Sequence, residues 1–249
     1  MCKRITAITL LLFFIHTTGT ASVYLPAGLQ PGDKYQLVFV TEDSLTPIST
    51  LISDYNQHVS LDAQNNPDLG TSDGVTYTAI ASTAEVDARD NALVGENPVY
   101  NLAGEGVAFG PDGMWFAAVG GHFANGSWLQ PPQYVGSHAH PIAPHGASDY
   151  DLVWTGSTPD GRSSPSSTGE FSLGSSDTPR AGYHTKTNFE WTQALHMFAS
   201  VPLPLYGLSS VITVPGAEPV PEPASVITWA LLGTVGCIGT WWNRRRKAG

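Results

Sequence analysis

The side chains whose types and spacing suit chemistry best are histidines. His138 and His140 sit two apart, with His145 just downstream and His122 upstream. On an extended segment, residues two apart point the same way, so this pair can share a Zn or Cu ion. Pro141 and Pro144 mark the segment as a loop, and no His-Glu-x-x-His pattern places a base between two ligands. A solvated histidine loop therefore stands against a metal site here. Oxygen donors gather at Asp87, Asp90 and Asn91, and again at Asp149 and Asp151. Calcium asks for more oxygens from one tight loop, with a glycine where it turns, and neither group has that spacing. Helix-end and turn carboxylates are the plainer reading of both. The sequence thus assigns no resident cofactor, with calcium and zinc as open alternatives.

Nucleophilic catalysis finds little support. No Gly-x-Ser-x-Gly occurs, the serines of Ser163 to Ser167 read as a flexible loop, and no glycine-rich phosphate loop follows a strand. A glycosidase pair stays open, because two carboxylates can meet only in the fold. Trp115, Trp128, Trp154 and Trp191 offer either a sugar-stacking surface or buried core aromatics.

The elements that must position these groups can be read coarsely. Lys34 to Thr41 alternates and is rich in β-formers, which predicts a strand. Thr46 and Pro47 predict a helix start, with Ile48, Leu51, Ile52, Tyr55 and Val59 on one face and an end near Ala63. Gly74 to Ile80 reads as a second strand, and Ser82 with Glu85 as a capping box for a short helix through Asn91. From Val99 the helical period disappears. Pro111-Asp112-Gly113 and Pro159-Asp160-Gly161 are turn signals, and His196 to Val201 and Tyr206 to Val214 read as closing strands. The expected class is α+β: two early helices, a loop-rich, mainly antiparallel β remainder, and a single C-terminal transmembrane helix.

Composition supports a globular body, with 41% hydrophobic and 13% charged residues. Net charge is −10, and its distribution matters more than its sum. Lys3 and Arg4 lie at one end and Arg244 to Lys247 at the other, leaving Lys34, Arg89, Arg162, Arg180 and Lys186 as the bases between. Such an acidic body repels phosphate backbones, so nucleic acid is not an expected partner. Cys2 and Cys237 lie in the two end segments, so the body between them has neither thiol nor disulfide.

The ends carry address signals. Residues 1–21 read as a secretory signal peptide: a basic start, an apolar run from Ile5 to Ile15, and small residues that place cleavage between Ala21 and Ser22. The expected partners are a Sec translocon and a signal peptidase. Residues 22–215 then form the extracytoplasmic domain and 216–223 a Pro-rich linker. Residues 224–249 hold a membrane helix and a basic tail. Ser225 to Trp242 is uncharged and apolar, just long enough to span a bilayer. Arg244, Arg245, Arg246 and Lys247 follow it and favour the cytoplasmic side.

Pro221-Glu222-Pro223 stands directly before that span. The prolines keep the strip extended, since they lack N–H donors and restrict the residue before them. This triplet, the apolar helix and the terminal Arg cluster together resemble the PEP-CTERM sorting signal over residues 220–249. The resemblance implies a bacterial envelope protein recognised by an exosortase-type transpeptidase. Such a protein is held in the inner membrane, cleaved near the motif, and passed to the surface or to extracellular polysaccharide. A second resemblance covers most of residues 30–215. Trp154-Thr155-Gly156, Leu173-Gly174 and Trp191 are similar to the loop-rich half of C-type-lectin-like and endostatin-like domains. The lectin cysteines are missing, and Glu96-Asn97-Pro98 holds the residues of the Glu-Pro-Asn sugar motif in another order, so calcium-dependent sugar binding is not carried over. The expected role is a non-catalytic module binding glycan or another envelope component. A hydrolase acting on extracellular polysaccharide and a purely structural surface protein are the alternatives.

Overall fold

The predicted strand over Lys34 to Thr41 forms as β1 (Lys34–Val40), buried at every position after Lys34. Burial on both faces means that packed elements cover both sides of the strand, while other strands pair with it on both edges. The computed structural model describes residues 24–66, 69, 74–115, 151–163, 171–174 and 177–216, and the backbone of 118–119, 122–123 and 133–134. In chain order β1 is followed by α1 (Ile52–Asn65), β2 (Tyr77–Ala79), α2 (Ala88–Asn91), β3 (Pro98–Tyr100), β4 (Gly106–Phe109) and α3 (Gly110–Met114). Then come β5 (Ala118–Val119), β6 (His122–Phe123), β7 (Gln133–Tyr134), β8 (Leu152–Trp154), β9 (Arg180–Tyr183), β10 (Leu195–His196) and β11 (Tyr206–Ser209).

The main sheet runs β2-β11-β1-β3-β4. β11 is antiparallel to β1, with Val38 opposite Leu208 and Val40 opposite Tyr206. On the other edge, β3 pairs with β1 in parallel at Gln36 and Leu37, and β7 pairs in parallel at Phe39 and Val40. A second sheet, β10-β9-β8, is antiparallel throughout. A few helices on a mixed, mainly antiparallel sheet make this an α+β fold, as the sequence predicts. Among the described residues no helix is long and apolar enough to cross a membrane. The predicted span from Ser225 to Trp242 lies outside the described residues, as do the predicted leader and Pro221-Glu222-Pro223.

The core joins sheet and helices through Val38, Val40, Ile80, Val99, Val107, Met114, Val153 and Leu208, with the rings of Trp115, Trp191 and Tyr206 at its centre. Trp191 lies 5.8 Å from Trp115 and meets Tyr206 edge-on at 5.5 Å, ring centre to ring centre. The Tyr206 hydroxyl also donates to the Trp191 carbonyl at 3.0 Å. Gly182 sits where a Cβ would overlap the Trp191 carbonyl, so only glycine allows this approach. A smaller unit brings residues 29–33 together with the segment that begins at Thr213. In it Gly32 N–H donates to Val214 O at 3.0 Å, and Val214 N–H donates to Asp33 O at 2.8 Å.

Several element boundaries differ from the sequence expectation. The first helix starts at Ile52, not at Pro47. Leu45 exchanges backbone hydrogen bonds with Leu203, and the Pro47 carbonyl accepts from Gly174 N–H, so this stretch is tied to distant strands and cannot wind. Ile48 and Leu51 are accordingly exposed, while Tyr55, Val59 and Ala63 are buried. The second helix shortens to Ala88–Asn91 because Thr83 N–H first closes a turn on Val86 O. Its N-cap is Asp87, without a side-chain cap bond, so the capping box expected at Ser82 and Glu85 does not form; Ser82 Oγ instead accepts from Ala88 N–H at 2.8 Å from six residues upstream. The signal at Pro111-Asp112-Gly113 gives the one-turn helix α3, with Pro in its first turn. The closing strand expected from His196 to Val201 stops at His196, because Met197 and Ala199 bond back to Pro179 and Asp177.

Candidate functional site

β8 ends at Trp154, whose N–H donates to Pro204 O at 2.9 Å and whose indole N–H donates to Leu45 O at 3.1 Å. The chain then turns through Thr155, Gly156 and Ser157. The Thr155 hydroxyl donates to Thr192 O at 2.5 Å, and the Ser157 hydroxyl donates to Thr155 O at 2.8 Å. Ser157 Oγ also lies 2.8 Å from Ser82 Oγ, which ties the stretch before α2 to the turn after β8. Gly156 is held at φ +59° with the Ser82 carbonyl against it, leaving no room for a side chain. These buried hydroxyls spend their hydrogen bonds on backbone and on each other, so their chemistry is structural.

The N–H groups of Thr155 and Gly156 both point to the carbonyl of Arg180, the first residue of β9. Arg180 is only 8% exposed, and its Nε and Nη1 have no hydrogen-bond partner among the described residues. Its guanidinium carbon lies over the Phe171 ring, 5.3 Å from the ring centre. Phe171 packs against His196 with ring centres 4.1 Å apart, and His196 stands opposite Arg180 across β9 and β10. Burial lowers the pKa of Arg180, and the negative charge of Asp160 opposes that shift. The Asp160 carboxylate is engaged elsewhere. Oδ1 accepts from the Thr158 hydroxyl at 2.5 Å, and Oδ2 lies 3.5 Å from Arg162 Nε. The arrangement is a buried cation with open donors against the half-buried Phe171 ring, which in turn packs on the exposed His196.

The residues singled out in the sequence fall differently. Trp115, Trp154 and Trp191 are buried, at 6%, 0% and 0% exposure, so they belong to the core and form no sugar-stacking surface. Trp128 lies outside the described residues, as do His138, His140, His145 and Asp149. His122 falls in β6, paired with Val119. Asp87, Asp90 and Asn91 share α2 and its first cap but do not converge on one point. Asp87 accepts from Ser163 N–H at 2.6 Å, while the Asn91 amide donates to Ala79 O at 2.7 Å and exchanges bonds with Asn56. Asp151 lies 3.6 Å from His184 Nε2. Among the described residues no group of three His, Cys, Asp or Glu side chains is placed to hold a metal ion.

Arg180, Phe171 and His196 were missed in the sequence. The available signal was Arg180 itself, one of few bases in an acidic body. No family model matches the chain, and no curated protein matches it.

Proposed function

We propose that the chain is an exported bacterial envelope protein with a PEP-CTERM-type sorting tail, whose folded body is a non-catalytic module that binds glycan. The observation that carries the sorting reading is the order of three parts in the sequence: Pro221-Glu222-Pro223, then the apolar run from Ser225 to Trp242, then Arg244 to Lys247. A stiff strip without helix-compatible geometry ahead of an apolar helix is a substrate that a membrane-embedded transpeptidase can engage. The basic tail fixes the orientation with the body outside. The Lys3 and Arg4 start and the apolar run after it supply export.

The glycan part is supported by where such tails deliver their cargo and by the acidic body that disfavours nucleic acid. Mass spectrometry of the C-terminus of the surface form is the test. The expected mature protein ends near Pro223, and surface material that keeps Arg244 to Lys247 would overturn the sorting reading.

A further inference from the structure

We infer that Arg180 receives the carboxylate of an acidic sugar, a uronate unit of a polysaccharide. The inference rests on the glycan-binding reading and narrows it to one ligand class. An ionised guanidinium is costly to bury unless its donors are paired. Here Nε and Nη1 are buried without a hydrogen bond among the described residues, and the ring of Phe171 covers one face of the group. Asp160 is committed to Thr158 and Arg162, so it does not fill those donors. A planar carboxylate matches in-plane N–H donors and supplies the opposite charge, which a neutral sugar does not.

A phosphate monoester is the poorer fit. It brings about two charges, against one for a carboxylate, toward a chain of net −10. The rings complete the case. Phe171 and His196 pack beside Arg180 with ring centres 4.1 Å apart and planes tilted by 47°, so the exposed His196 ring is the surface that a sugar ring can meet. Phe171 is half-buried and His196 exposed, so the ring that covers the Arg180 guanidinium reaches the surface.

The test is calorimetric titration of the full chain in detergent with a tetramer of galacturonate, beside the same tetramer as its neutral methyl ester. The acid form is expected to bind at least about tenfold tighter than the ester, the range of one charge-assisted hydrogen bond. R180Q is expected to erase that preference with the thermal melt retained. H196A, at an exposed position, is expected to weaken both forms about threefold or more by removing stacking surface.

Equal affinity for acid and ester, or an acid preference that survives in R180Q, overturns the inference while leaving glycan binding in place. Failure of the acid, the ester and a neutral glucan tetramer alike overturns the inference and the glycan reading together. Should R180Q not fold, H196A decides: unchanged affinity for the acid tetramer overturns the assignment.

Discussion

Asp62 shows at the scale of one residue how the fold holds a charge it would rather neutralise. Its carboxylate is 7% exposed on the buried face of α1, where it accepts from Glu42 N–H at 3.0 Å and Asp43 N–H at 3.3 Å. Burial raises its pKa above the usual carboxylate range, and the two amide donors only partly oppose that. A carboxyl whose folded pKa lies above its unfolded one stabilises the fold when protonated. That contribution is full below about pH 4, the unfolded value, and is lost as pH rises through the folded pKa. Denaturant melts of the wild type and D62N between pH 4 and pH 7 check this. The stability of the wild type relative to the variant is expected to fall as pH rises, and a flat or rising difference would refute the burial argument. Gln36 is the neutral counterpart, fully buried and with its hydrogen bonds made. The contrast with Arg180, whose donors stay open, is what separates a structural polar residue from a site.

The elements were legible where local pattern and tertiary demand agree. β1 was readable because its β-forming run is long and strands pair with it on both edges. α1 was readable as a helix, but its start was not. The N-cap residue types at Thr46 and Pro47 are overruled by hydrogen bonds to Leu203 and Gly174, more than a hundred residues away in sequence. The same limit hid the Arg180 arrangement, since His196 reaches it through the pairing of β9 and β10 and Phe171 through the bond from Arg180 N–H to its carbonyl. Long-range pairing of this kind also predicts which buried polar group holds the main sheet together. Gln36 on β1 donates to Leu93 O at 3.1 Å and Ser209 O at 2.8 Å, and accepts from Gly95 N–H at 2.7 Å. It thereby links β1 to β11 and to the loop before β3. Q36L keeps the volume but strands those backbone groups, which should cost about 2–4 kcal/mol in a denaturant melt. A loss below about 0.5 kcal/mol would show that these bonds are replaceable.

At the scale of the whole molecule, the proposed address and the fold occupy separate parts of the sequence. The proposed address signals take up the first residues and the stretch from Pro221 onward, while the described core runs from Tyr35 to Val214. The core draws its aromatic centre from Trp115, Trp191 and Tyr206 and its sheet from β1, β3 and β11, all between those ends. The cysteines lie outside that stretch as well, so no disulfide contributes to its stability. A fold built this way should survive release from its tail, which the proposed cleavage requires. A chain trimmed to residues 24–216 is therefore expected to unfold cooperatively within about 3 °C of the full-length protein, a difference of no more than ~1 kcal/mol at this size. Its melting temperature should also be the same with and without a reductant. A drop of 10 °C or a non-cooperative melt would mean that residues beyond 216 carry part of the fold. The proposed release would then leave behind a protein unable to keep its shape.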